Sequence, residues 1–231
     1  MSNAEPMDAT TAGDRSDRRA RFRFAIAAAA ILAAGAAARL YGAWAARRIE
    51  DADAAVTALM ARHMVEGRAF PVFFYGQGYM GNLEPATAAL LGRLFGLNGF
   101  WVNLGTALYG WGILILLLRW GRETGGRAGA LAAALLCTIG PRYYAAFQTV
   151  PRGAYMAAIL LSLLALRGCV LLSVRLRHRE PVGAGSAVLT GIAAGLAWWG
   201  SAVVTSALAA GALLVAIGLR GRVWHLSLIH I

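Results

Sequence analysis

Apolar residues in this chain gather into long runs rather than alternating singly, and short arginine-rich segments separate the runs. A helix needs about 20 apolar residues to cross a bilayer. Four runs reach that length: Phe24 to Trp44, Leu97 to Trp120, Ala128 to Phe147 and Gly153 to Val174. A fifth stretch, Gly183 to Leu219, is too long for one span, and the WWGS segment at Trp198–Ser201 offers a break within it. The pattern predicts an all-α integral membrane protein of about six transmembrane helices. The membrane domain covers residues 24–225 behind a basic tail, 1–23. The first run exceeds the roughly 7–15 residues of a signal-peptide core, so it reads as a retained anchor. Arg39 lies inside that run and must snorkel or face protein, because a lipid-facing arginine is costly.

Composition narrows the class. Charged residues make up 14% of the chain, against about a quarter in soluble domains. The net charge of +11 is carried by arginine, as the sequence contains no lysine. Nucleic-acid binding, the usual reading of such a charge, fits poorly with arginines placed in clusters beside apolar spans. With the N-terminus cytoplasmic, the clusters at 15–23, 119–127, 175–179 and 220–222 all fall inside, as the positive-inside rule requires. Six spans put Arg220 and Arg222 inside, whereas five would not. A multi-pass membrane protein with a cytoplasmic N-terminus is expected, with loop 45–96 outside. Cys137 and Cys169 have no metal-ligand spacing and read as small buried hydrophobes. The last residues, Leu226–Ile231 (LSLIHI), resemble the in-frame translation of a sequencing-library transposon end. The native reading is therefore expected to end near His225, with the membrane domain incomplete.

The outer loop carries the candidate chemistry. Residues 51–66 pattern as an amphipathic surface helix, with Ala55, Leu59, Met60, His63 and Met64 on one face. Asp51 and Asp53 stand at its start, where a carboxylate either caps the helix or acts as a base. The PVFFYGQGYMG segment that follows is too rich in glycine and aromatics for a regular helix. Its Tyr75, Gln77 and Tyr79 suit either an interfacial aromatic belt or substrate contacts. Glu84 opens a return helix, either solvated or holding an acceptor or a metal. His63 reads as structural.

These segments carry a resemblance. DADAAVTALMARHM followed by PVFFYGQGYMGNLE, with VPRGAYMAAILLSLLALR at 150–167 and GIAAGLAWWGS at 191–201, resembles bacterial polytopic glycosyltransferases. These are the protein O-mannosyltransferase-like and aminoarabinose-transferase-like enzymes. The resemblance implies transfer of a sugar from a polyprenyl-phosphate carrier to a lipid, glycan or protein acceptor outside the membrane. It implies Asp53 as general base, with Asp51 in reserve. It also implies Tyr75, Gln77, Tyr79, Glu84 and Arg152 as substrate-binding groups. The family's Asp-Glu pair reads Asp53–Ala54 here, a departure that bears on the acceptor. Inverting displacement of a lipid phosphate needs cationic help, from a divalent cation or from Arg62, Arg142 or Arg152. Arg152 is preferred because its PRGAY setting matches an RGGY-like segment of the family.

A transporter or structural membrane subunit is the competing class, since Ala/Gly-rich helices pack in any membrane protein. A transporter should show an internal repeat with ionisable or broken positions at mid-membrane. The sequence shows no such repeat, and its polar residues gather in the outer loop.

Overall fold

The computed structural model describes residues 8–48 and 51–229. The chain is mostly helical. Helix α1 (Asp8–Ala45) runs into a short 3-10 turn, Ala46–Arg48. Then come α2 (Ala52–Val65), strands β1 (Phe73–Phe74) and β2 (Gln77–Gly81), and α3 (Leu83–Phe95). Helices α4 (Gly99–Thr138), α5 (Arg142–Phe147), α6 (Tyr155–Arg177), α7 (Ala184–Gly200) and α8 (Thr205–Ile229) complete the chain. The basic tail is therefore not a separate unit from Asp8 onward, because its arginines ride on the first turns of α1. Of the adaptor-like tail, His230 and Ile231 lie outside the described residues.

Among the described residues, four segments are long and apolar enough to cross a membrane: Asp17–Arg48, Gly99–Thr138, Tyr155–Arg177 and Ala202–Arg220. Ala184–Gly200 is a shorter apolar helix. Large side chains on their outer faces lie bare, with Leu136 76%, Ile139 71% and Leu189 68% exposed. Water would not tolerate so much apolar surface, so lipid is its solvent. The break expected at WWGS is present: α7 stops at Gly200 and Ser201 caps the next turn through its hydroxyl.

The third expected span differs. Helix α4 is kinked at Gly125 and Gly126, whose backbones leave the helical region. A Cβ on Gly121 would lie 2.7 Å from the Gly129 carbonyl oxygen. Residues that far apart in one straight helix would be about 12 Å apart, so α4 folds back on itself. Its second arm, 127–138, then ends before Gly140 and Pro141, because proline cannot continue the helix. The run expected to reach Phe147 is thus a short arm followed by the separate α5.

The segment from α2 to α3 is a packed layer rather than a helix lying free on the membrane. Helix α2 buries Ala54, Thr57, Met60, Ala61 and Met64, while Leu59 is exposed. The buried face is thus rotated from the expected one, toward the α3 contact. The aromatic segment forms a β-hairpin, a local exception to the all-helical expectation. Gly76 occupies its turn at φ 77°, a left-handed conformation natural to glycine. Strand β2 then reaches the bundle: Met80 bridges antiparallel to Ser201 at the α7–α8 break. Met80 is buried in a core with Met60, Phe74, Ala88, Val102 and Ala154. Its sulphur also accepts a hydrogen bond from the Ala154 N–H at 3.3 Å.

The other end of the molecule is held by ion pairs. Asp17 of α1 meets Arg127 at 2.8 Å, and Glu123 of α4 meets Arg167 of α6 at 2.5 Å. Some 30 residues of helix separate Asp17 from the outer loop, about 45 Å of rise, so the two layers sit at opposite poles.

Gly153 is the most exacting position under this layer. Its φ is 86°, and an added Cβ would strike the Met80 sulphur. Gly153→Ala should cost about 2 kcal/mol or more, from left-handed strain and overpacking together. Gly185→Ala, which meets nothing, should be neutral. Thermal unfolding of the detergent-solubilised variants checks the contrast.

Candidate functional site

Two segments distant in sequence meet at the pole opposite Asp17: the start of α2, and the Pro151–Ala154 turn with the start of α6 that follows it. Asp51 caps α2, its Oδ1 accepting the Asp53 N–H at 3.0 Å. The same carboxylate reaches Arg152, with Nη2 to Oδ2 at 3.3 Å. Asp51 therefore fills the capping role that residue type and position allowed, and adds an ion pair. The two side chains keep 27% and 31% of their surface exposed, so the pair borders solvent rather than lying sealed.

Arg152 is only partly satisfied. Its Nε is enclosed and has no hydrogen-bond partner among the described residues. Its guanidinium stands 5.9 Å from the Tyr143 ring centre and 5.8 Å from that of Phe147. Aromatic faces attract a cation without neutralising it, so positive charge remains available beside Asp51.

Asp53 lies one helical step away and is half-buried. Its backbone carbonyl accepts from the Thr57 hydroxyl at 2.8 Å, whereas its carboxylate makes no hydrogen bond among the described residues. Asp53 and Tyr79 are both near enough to interact electrostatically with the Tyr155 hydroxyl. Tyr79, in the middle of β2, is 63% exposed. The structure thus brings Asp51, Asp53, Tyr79, Arg152 and Tyr155 together. Tyr155 was not singled out from sequence, although it ends the PRGAY segment that carried the resemblance.

The remaining expected residues lie elsewhere. Tyr75 turns to the far end of α2, its hydroxyl 2.9 Å from His63 Nδ1. That puts it about three turns of helix from Asp53, and it leaves His63 with a structural partner. Gln77 pairs with Phe74 across the hairpin turn, away from the Asp–Arg group. Arg62 pairs with Glu66 at 2.8 Å, and this contact holds the Glu66 carboxyl below its usual range. The side chain of Arg142 lies outside the described residues.

Glu84 is neither solvated nor open to a substrate. It is 1% exposed. One oxygen accepts from Thr106 Oγ1 at 2.7 Å, and the other from the N–H groups of Met156 at 2.8 Å and Ala157 at 3.4 Å. A carboxylate from α3 therefore caps α6, directly beneath Tyr155 and Arg152. Burial pushes its pKa up to about 7, and the three donors hold it back from rising further. Among the described residues no group of His, Cys, Asp and Glu is assembled to hold a metal ion. Ala54, next to Asp53, lines a cavity of about 370 Å³ with Ala46, Ala58 and Asn103.

The Glu84 shift makes a pH prediction. A carboxyl raised from 4.5 to about 7 on folding binds its proton more tightly in the native state, so its contribution is full below the lower value. That contribution is lost as pH rises to the upper one, by about 3 kcal/mol in all. Glu84→Gln should abolish this slope between pH 4.5 and 7. Glu84→Ala should destabilise at every pH, by about 2–4 kcal/mol, leaving buried N–H groups unpaired. Unfolding midpoints across that range, read as the difference from the parent chain, check both.

No protein family, no curated protein and no solved structure matches this chain.

Proposed function

We propose that this chain is part of a membrane glycosyltransferase that moves a sugar from a polyprenyl-phosphate carrier to an acceptor hydroxyl at the outer face of the membrane. The observation that carries the reading is the convergence of Asp51, Asp53, Arg152 and Tyr155 at one pole of an otherwise apolar bundle. The sequence resemblance set out above supplies the reaction class. The chain would sit in a bacterial inner membrane with its N-terminus cytoplasmic. The first arm of α4, its second arm continued by α5, and the helices on either side of Ser201 would count as separate passes, which with α1 and α6 gives six.

Each group has a distinct task under this reading. The Asp53 carboxylate, free of hydrogen bonds among the described residues, takes the acceptor's proton as its oxygen attacks the anomeric carbon. Arg152 offers the charge that receives the departing lipid phosphate. The start of α6 cannot do so, because Glu84 already occupies its N–H groups. Asp51 orients Arg152 instead of acting as a base. Tyr79 and Tyr155 flank the sugar. An arginine in this place removes the need for a metal to hold the phosphate, although a divalent cation would serve the same end.

The test is release of polyprenyl phosphate from radiolabelled lipid-linked sugars in membranes holding the native full-length chain. Asp53→Asn should lower transfer about 100-fold or more while membrane insertion is unchanged. Transfer retained in that variant overturns the base assignment. A parent chain inert toward the whole set of polyprenyl-phosphate sugars favours the non-enzymatic class. Cysteines introduced at the exposed positions Phe70, Val72 and Phe73 should react with an impermeant reagent from outside the cell, and labelling only from the cytoplasm reverses the orientation.

A further inference from the structure

The most unusual charge in the molecule lies away from this site. Arg39 sits within the α1 span, 5% exposed. Its partners are all neutral: Nη1 donates to the Gly35 carbonyl at 3.0 Å, and Nη2 donates to the Gln148 side-chain oxygen and to the Cys137 sulphur at 3.6 Å. Its Nε is enclosed and has no partner among the described residues. No carboxylate forms an ion pair with it among those residues either. The end of α4 next to Cys137 contributes only about half a unit of negative charge. A guanidinium this deep is costly without a counter-charge.

A cavity of about 40 Å³ adjoins it, lined by Arg39, Cys137, Thr138, Tyr144, Gln148 and Thr149. A single water needs about 10–15 Å³ on this measure, so the space admits one monatomic anion or very few waters. Its lining offers donors. The Gln148 amide accepts from Arg39 through its oxygen, which leaves its N–H groups uncommitted. The Tyr144 hydroxyl has only a 3.6 Å sulphur neighbour among the described residues. The hydroxyls of Thr138 and Thr149 already donate to backbone carbonyls. Ala145, which also lines the cavity, is exposed, so the cavity lies close to the bundle's surface beside α5.

We propose that this cavity is a binding site for one small monovalent anion, chloride in the cell, held by Arg39, Gln148 and Tyr144. Bound there, the anion neutralises Arg39 and ties α1 to the second arm of α4 and to α5. The site is independent of the glycosyltransferase reading.

The experiment measures ³⁶Cl⁻ binding to the purified full chain in lipid nanodiscs, together with its thermal unfolding in chloride against gluconate at constant ionic strength. Expected are saturable binding near one chloride per chain and a rise of a few degrees in Tm that saturates over the same range. Gln148→Leu and Tyr144→Phe should each weaken binding about tenfold, the loss of one hydrogen bond to a charge. Arg39→Gln should abolish it. If Arg39→Gln does not fold, the two milder variants and the parent chain carry the test. No saturable binding by the parent chain, a Tm that tracks ionic strength alone, or affinity unchanged in both milder variants overturns the proposal and leaves a water-filled pocket.

Discussion

The Glu84 carboxylate is the joint on which the pole carrying the candidate site depends. It comes from α3, in the loop layer, and it satisfies a hydroxyl of α4 and two backbone N–H groups of α6. A helix start leaves N–H groups without partners, and in a membrane protein their burial is expensive. Supplying the partner from another segment fixes where that segment must sit. Once α3 is placed, β2 is delivered to Ser201 and Met80 to Gly153. The turn that presents Arg152 to Asp51 then has little freedom. The candidate site is in this sense a consequence of one buried acid.

The two buried arginine settings contrast instructively. Arg152 borders solvent, touches a carboxylate and leans on two rings, so its charge is partly met and partly open. Arg39 is sealed among neutral groups. At the opposite pole, Asp17 and Glu123 each meet arginines on neighbouring helices, so acids and arginines there answer one another. Arginines at the helix ends without an ion pair among the described residues can be met by water or lipid headgroups, whereas Arg39 is buried and has neither.

Much of the frame was legible in the residues. Long apolar runs named the spanning segments, the arginine inside the first run was bound to face protein, and WWGS marked a real break. The elements misjudged were those whose conformation depends on partners. The hairpin at 73–81 is too short for its periodicity to register, and the run 128–147 hides an interruption that only Gly140–Pro141 betrayed. The same limit applied at the site. Asp51, Asp53 and Arg152 stood out because charged residues are rare here, but their meeting spans about a hundred residues of sequence. Tyr155 lay unnoticed within a quoted segment. Glu84 was noticed, yet its burial could not be read locally, because the N–H groups that claim it belong to α6.

The central claim is that the segment from α2 to α3 is docked on the end of the bundle, since without that docking the site residues never meet. The direct measurement is a disulfide trap between Met80→Cys and Ser201→Cys in native membranes, with each single variant as control for Cys137 and Cys169. Bridged antiparallel residues have Cα atoms about 4.5–5.5 Å apart, within the roughly 4.4–6.8 Å that a disulfide spans. The account predicts that mild oxidation closes the bridge almost completely in the double variant, and that Tyr79→Cys with Ser201→Cys, whose side chain points to the other face, stays open. A double variant that remains reduced, or one that crosslinks no better than the control pair, contradicts it.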